Sequence, residues 1–320
     1  MAINQDPNST WISAYLDCLL TQRKYSRNTI DAYRRDLSDL FAFSDDGELL
    51  NITHFQIRQF ASKLHAKGIG PRSIARKLSA WRSFFVWLSQ QTSMSSNPVD
   101  GVKAPKRTRP LPKALSADDA VRLVSAVTDG SASTLCNLAM FELLYSSGLR
   151  VSELAALDMN YVHQPEHTSI SWLDATSHEV FVTGKGNKQR SVPVGKHALD
   201  AIAAWLDFRS QLAVLATGSD CFALFLTLRG TRISPRTIQL RLKAHAQGLG
   251  IPFNVHPHVL RHSFASHVLQ SSGDLRAVQE MLGHSSIAST QVYTSLDFQR
   301  LAQVYDAAHP RSRKKLETDK

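Results

Sequence analysis

Cysteine is scarce: the chain has three in 320 residues, Cys18, Cys136 and Cys221, far apart and in apolar neighbourhoods. Without a CxxC pair they cannot supply the close-spaced ligands of a zinc site or a redox loop, and they read as buried thiols in a reducing compartment. A long hydrophobic run is missing too. No stretch approaches the roughly 20 apolar residues that span a bilayer, and the polar MAINQDPNST has no secretory apolar core behind it. The expectation is a soluble, cytoplasmic protein with no membrane contact. There is no GxxxxGK[ST] loop for nucleotide phosphates and no HExxH for a metallohydrolase. Internal repeats and long low-complexity tracts are also lacking.

Acidic side chains are the minority, 27 Asp+Glu against 37 Lys+Arg, for a formal net charge of +10 and a pI near 9.6. Such an excess suits a polyanion, and nucleic acid comes ahead of a membrane surface because no amphipathic basic segment stands alone. A merely basic soluble enzyme is the plain alternative. The length suits two domains, each large enough for its own core.

Residues 11 to about 90 carry helical periodicity. Trp11, Tyr15 and Leu19 mark one apolar face, and Ile30, Tyr33, Leu37, Leu40 and Phe41 a second. A third helix opens with Thr53 as N-cap and Gln56 three places on, buries Ile57, Phe60 and Leu64, and stops at Gly68. The fourth has Ile74, Leu78, Trp81, Phe85 and Leu88 at core spacing, and the four together suggest a small bundle. Its other face holds Arg72, Arg76, Lys77 and Arg82, either a solvated face or a row that tracks phosphates. In VKAPKRTRPLPKAL, Lys103, Lys106, Arg107, Arg109 and Lys113 lie among three prolines with no acid. Proline holds this segment extended as a linker, and folding needs none of its charges, so a DNA backbone is a plausible contact. Helices resume at Ser116, the period changes to alternation in HEVFVTGKGNKQRSVPVG, a β-hairpin signature, and helices then return. The expected fold is mainly α with a small β-sheet or hairpin. Its expected parts are a helical domain over 1–101, the linker over 102–115, a second domain over 116–310 and a basic tail over 311–320.

Four stretches of the second domain carry unusual polar groups. In SSGLRVSEL, Glu153 lies three positions after Arg150 and can hold its guanidinium, which by itself is an ordinary helix ion pair. In TGKGNK, Lys185 sits at the hairpin tip between two glycines, where it is either a surface lysine or a ligand-facing one. In HPHVLRHSFASHVL, Pro257 suits the first turn of a helix. His258 and Arg261 share its polar side, and His262 reads as a structural or supporting residue. A metal pair from His258 and His262 lacks a nearby carboxylate and is set aside, so no metal is expected. Asp274 caps the next helix, Gly283 ends it, His284 follows, and Tyr293 comes nine residues later.

One chemistry uses this whole set. A tyrosine hydroxyl has a pKa of about 10, and a phosphodiester repels the anion that attacks it, so transfer needs a nucleophile and charge neutralisation together. Arginine forks can clamp the nonbridging oxygens in place of metal ions, a histidine can accept the tyrosine proton, and a lysine can protonate the departing oxygen. No ATP or other cofactor is required.

GLRVSEL, TGKGNKQRSVPV, HPHVLRHSFASHVL and LGHSSIASTQVYT closely resemble, in order, the signature boxes of the tyrosine recombinases, the phage integrase family. The run TSLDFQRLAQVYDAAHPRSR brings the chain nearest to the bacterial Xer branch. The resemblance implies a catalytic set of Arg150, Lys185, His258, Arg261, His284 and the nucleophile Tyr293, supported by Glu153. It implies a SAM-like core-binding domain and a mostly helical catalytic domain that close on double-stranded DNA as a C-shaped clamp. It also implies a dif-like chromosomal site, a heterotetramer of two such chains with two of a XerD-like partner, and control by an FtsK-type translocase. HQPEHTSISWLDATSHEV looks several residues longer than the family's approach to the hairpin. Two alternatives are a type IB topoisomerase, which shares the chemistry, and a noncatalytic DNA-binding protein.

Overall fold

The computed structural model describes residues 7–43, 49–106, 114–125, 129–184, 188–252, 254–283, 304, 308 and 309. The chain divides into two compact units, Met1–Leu111 and Pro112–Lys320.

The first unit contains α1 (Pro7–Thr21), α2 (Arg27–Phe43), α3 (His54–Ala66) and α4 (Pro71–Ser89). Thr53 and Gln56 form the expected reciprocal cap at the start of α3, with Thr53 N–H donating to Gln56 Oε1 over 2.8 Å and Gln56 N–H to Thr53 Oγ1 over 3.3 Å. Gly68, at φ +79°, turns the chain after α3, and Pro71 occupies the first turn of α4. Along α4, Ile74, Leu78, Trp81, Phe85 and Leu88 are buried with Tyr15, Leu19, Leu37, Ile57 and Leu64. Tyr15 meets Phe84 edge-on at 5.4 Å, and its hydroxyl donates to Ser83 over 2.7 Å.

The polar side of α4 departs from a row of free cations. Asp36 of α2 is wholly buried and accepts from both Arg76 and Lys77, the latter at 3.0 Å, while Trp81 Nε1 donates to its carbonyl over 2.6 Å. Lys77 is itself buried and also pairs with Asp39, so it is not on a solvated face. A buried ammonium must be paired, and the partners lie on another helix that sequence spacing does not reach. Arg82 donates to the carbonyls of Val99 and Val102, both at 3.1 Å, fastening the segment after α4. Arg72, Lys103 and Lys106 are exposed, whereas Arg107, Arg109 and Lys113 lie outside the described residues.

The second unit runs α5 (Ala117–Val124), α6 (Ala132–Ser147), α7 (Val151–Ala155), β1 (Leu157–Asp158), β2 (His163–Gln164), β3 (His167–Thr168), β4 (Ser171–Asp174), β5 (Glu179–Thr183) and β6 (Gln189–Pro193). Then follow α8 (Lys196–Ala213), α9 (Pro235–Gly248), α10 (Pro257–Ser272) and α11 (Leu275–Leu282). Helix α6 is the axis of the core: Ala139 to Tyr145 are buried, and α8, α9 and α10 pack around it. The expected hairpin is β5–β6, with Val180 opposite Val192 and Val182 opposite Arg190. It belongs to a small four-stranded sheet ordered β1-β4-β5-β6, in which β1 and β4 are parallel and the other pairs antiparallel. The long 163–180 segment supplies β4 and the separate β2–β3 pair.

That pair is fastened by Asp158, which is buried and accepts from Ser169 Oγ and Arg232 at 2.6 Å each and from His167 Nε2 at 2.7 Å. Burial pushes the Asp158 carboxyl up, but the hydrogen bonds of Ser169, Arg232 and His167 outweigh it and hold it below its ordinary range. A second buried network joins Tyr145, His267, Leu115 and His309. His267 Nε2 lies 3.0 Å from the Leu115 carbonyl and must donate to it, so Nδ1 accepts from the Tyr145 hydroxyl at 2.9 Å. His309 Nε2 lies 3.2 Å from the Tyr145 carbonyl, and its ring packs on Phe264 and Tyr145, with Ala308 buried beside it.

Asp36→Ala removes the carboxylate that Arg76 and buried Lys77 share, leaving Lys77 only Asp39, and should cost the first unit about 3 kcal/mol in urea unfolding. Adding Lys77→Met to Asp36→Ala should recover part of that loss.

Candidate active site

The site is assembled where four chain segments meet through arginine side chains. Helix α6 ends at Gly148, which adopts the left-handed conformation at φ +56°. A Cβ there would sit 2.4 Å from the Phe264 ring, so both the turn and the packing of α10 demand glycine. This turn places Arg150 at the N-cap of the short helix α7, with extended backbone angles of φ −73° and ψ 148°.

Glu153, one turn on, is only 4% exposed. Its Oε2 accepts the Arg150 backbone N–H at 2.8 Å and its Oε1 the Arg150 guanidinium at 2.7 Å. The local ion pair expected from the sequence therefore forms, but it is half of a larger arrangement. Arg190, from the inward face of β6, grips the same carboxylate through a second fork, with both contacts at 2.9 Å. Its Nε donates to the Met281 carbonyl at the end of α11, also at 2.9 Å. Burial pushes Glu153 up, while the hydrogen bonds and charge of Arg190 and the contacts from Arg150 pull it down further, so its carboxyl sits below the ordinary range.

Arg261, on α10, is the third guanidinium. It is 8% exposed and donates to the Gly148 carbonyl over 2.6 Å and to the Leu282 carbonyl. These two contacts occupy two of the five N–H groups of a guanidinium. Burial first, and then repulsion from Arg150, lowers its pKa to about 10. It remains a cation at neutral pH, in a place where adding positive charge is unfavourable. Two arginines thus share one carboxylate with a third close by, and an anion is what such a cluster lacks.

His258 is exposed on the first turn of α10, with His256 edge-on at a ring distance of 6.2 Å. Burial, and then the charge of His258, lower the His256 pKa. His262 is exposed. Lys185, His284 and Tyr293 lie outside the described residues, although their flanking residues Gly184 and Gly283 are described. A Cβ on Gly184 would lie 3.6 Å from Arg150 NH1, and one on Gly283 would lie 3.0 Å from Arg190 Cδ. The described chain thus enters both segments alongside the arginine cluster. No group of three or more potential metal ligands occurs among the described residues.

Arg190 was not singled out from the sequence, though a signal was there. Alternation through QRSVPV puts it on the face of Val192 and Val194, and a charge at an inward strand position calls for a buried partner.

A phage integrase family model matches residues 113–300, more than half of the chain, and a phage integrase N-terminal SAM-like domain model matches residues 12–92. Tyrosine recombinase XerC of Ralstonia pickettii (strain 12J) is 53% identical over 310 residues, covering 95% of this chain and 94% of its own. Tyrosine recombinase XerC of Pseudomonas aeruginosa PAO1 is 44% identical over 312 residues, covering 96% and 97%. Among solved structures, a lambda integrase dimer bound to a COC' core site is similar with a TM-score of 0.65 and 18% identity, covering 89% of this chain and 99% of that one. The Tn1549 transposon integrase in complex with circular intermediate DNA matches with a TM-score of 0.63 and 17% identity, covering 91% and 98%. At these identities the structures establish a shared fold.

Glu153→Gln keeps the shape and removes the charge that compensates Arg190. Because the folded carboxyl lies below its ordinary value of 4.5, its stabilisation is present above that pH and is lost as pH falls through the folded value. Urea unfolding should show a loss of about 2 kcal/mol at pH 7 that shrinks only as pH falls below 4.5.

Proposed function

The chain belongs to the phage integrase family of tyrosine recombinases and is a XerC-like DNA strand-exchange enzyme, and we propose that Tyr293 is the nucleophile of its cutting and rejoining reaction. In this reading the Tyr293 hydroxyl attacks a DNA phosphorus in line, giving up its proton to His258. A Tyr293 O–P bond forms, the bond from phosphorus to the 5′ oxygen breaks, and Lys185 supplies the proton for the departing 5′ hydroxyl. The phosphate remains on the enzyme as a 3′-phosphotyrosyl ester. A 5′ hydroxyl from another strand then reverses the chemistry. The bond energy is kept throughout, so the step consumes no ATP.

The observation that carries this reading is the arginine cluster around Glu153. Arg150 and Arg261 hold the two nonbridging oxygens and His284 donates a further hydrogen bond, so the protein supplies the neutralisation that a metal ion supplies in many nucleases. Arg150 suits a ligand-facing role, since its side chain is 31% exposed while the Glu153 side chain beneath it is 3% exposed. Buried Arg261 approaches from α10 and is already fixed by two carbonyls.

The chain binds double-stranded DNA, and within the first unit Arg72, Lys103 and Lys106 are the exposed cations we assign to its backbone. Arg76 and Arg82 are already engaged by Asp36 and by backbone carbonyls, and Lys77 is buried. The proposed setting is the cytoplasm, at a dif-type site. There the chain acts with a XerD-like recombinase as two plus two subunits, under an FtsK-type translocase, to resolve chromosome dimers before cell division. No described helix is long and apolar enough to cross a membrane.

A nicked suicide duplex should trap a covalent adduct in the presence of chelator, and Tyr293→Phe should abolish it. An adduct that persists in Tyr293→Phe would remove Tyr293 from the mechanism. Arg72→Ala should weaken binding to specific and random duplexes alike and flatten the salt dependence by about one unit of log–log slope, read in a gel-shift titration.

A further inference from the structure

Arg190 is not among the residues assigned to the chemistry, yet it bridges Glu153 and the end of α11. All three of its guanidinium nitrogens are used: Nε on the Met281 carbonyl, NH1 on Glu153 Oε1 and NH2 on Glu153 Oε2, each at 2.9 Å. Its side chain is 5% exposed, so it has no share in a solvated face. Through Glu153 it reaches Arg150, whose backbone N–H and guanidinium rest on the same carboxylate.

The two glycines that precede Lys185 and His284 in sequence also close on Arg190. A Cβ on Gly184, just before Lys185, would come within 3.5 Å of Arg190 NH1. A Cβ on Gly283, just before His284, would come within 3.2 Å of both Nε and NH1. Strand β6, helix α7, the end of β5 and the end of α11 therefore meet at one side chain, although they are far apart in sequence.

We propose that Arg190 is a positioning residue for strand cleavage: it sets Arg150, through Glu153, beside Gly184 and Gly283, the residues that precede Lys185 and His284. This rests on the reading of Arg150, Lys185 and His284 as site residues. The contact pattern requires a planar fork. A lysine ammonium at the same place carries the charge but cannot hold both carboxylate oxygens and the Met281 carbonyl in one plane. A loss of register of about 1 Å at a reacting group costs on the order of a hundredfold in rate, with no direct contact to DNA required.

The test compares wild type, Arg190→Lys, Arg190→Ala and Glu153→Gln as full-length chains on the nicked suicide duplex, at saturating DNA and at a temperature where circular dichroism shows each folded. For Arg190→Lys we expect adduct formation to slow about thirtyfold while DNA affinity stays within about threefold. Added guanidinium ion should restore part of the rate to Arg190→Ala, and methylammonium should not. Arg190→Lys combined with Glu153→Gln should be little slower than the worse single variant, since both break one chain of contacts.

Wild-type cleavage by Arg190→Lys would overturn the proposal, as would a rate loss that disappears once corrected for the folded fraction, which marks a role in folding alone. Failure of the wild-type chain to form a Tyr293-dependent adduct would instead strike the underlying reading of the site.

Discussion

The second unit depends on one buried carboxylate. Glu153 is the negative centre around which two arginines are fixed directly and a third is held nearby, and each comes from a different element. Without it, guanidinium groups packed this closely would repel one another in a poorly solvated place. With it, the cluster is fixed but remains short of negative charge. That combination is what an enzyme handling phosphodiesters requires: cations held in place before the ligand arrives, so that little reorganisation accompanies the build-up of charge.

The first unit uses the same device for another end. Asp36 gathers Arg76 and Lys77 between α2 and α4, and Arg82 is held by carbonyls beyond α4. These cations stabilise the bundle's internal geometry. A basic sequence face therefore divides into charges that hold the protein together and charges that remain exposed, and only Arg72 of the four on α4 is exposed without a described carboxylate or carbonyl contact. The net charge of the chain thus overstates what is available to DNA.

What the sequence disclosed follows from the range of the interactions. Thr53 with Gln56, Asp274 and Gly283 could be read because a cap is decided within a few residues. The β5–β6 hairpin was legible because alternation continues through a short turn. The pairing of β1 with β4, the burial of Lys77 and the fork from Arg190 to Glu153 were not, because each joins residues brought close only by the tertiary fold. Of the site, the Arg150–Glu153 pair was local and foreseen, whereas the residue that ties it to α11 lies 37 positions further along.

The anchoring of Gly283 and His309 has a consequence for the chain between them. Gly283 lies against Arg190, and His309 is packed on Tyr145 and Phe264 within the same unit. Tyr293 is ten residues past the first anchor, and a chain advances at most about 3.5 Å per residue, so the tyrosine stays within about 35 Å of its own Arg190. In the proposed reaction Tyr293 is the attacking residue, and the phosphorus it meets must then come inside that radius, which sets a steric ruler for where the scissile phosphate can stand.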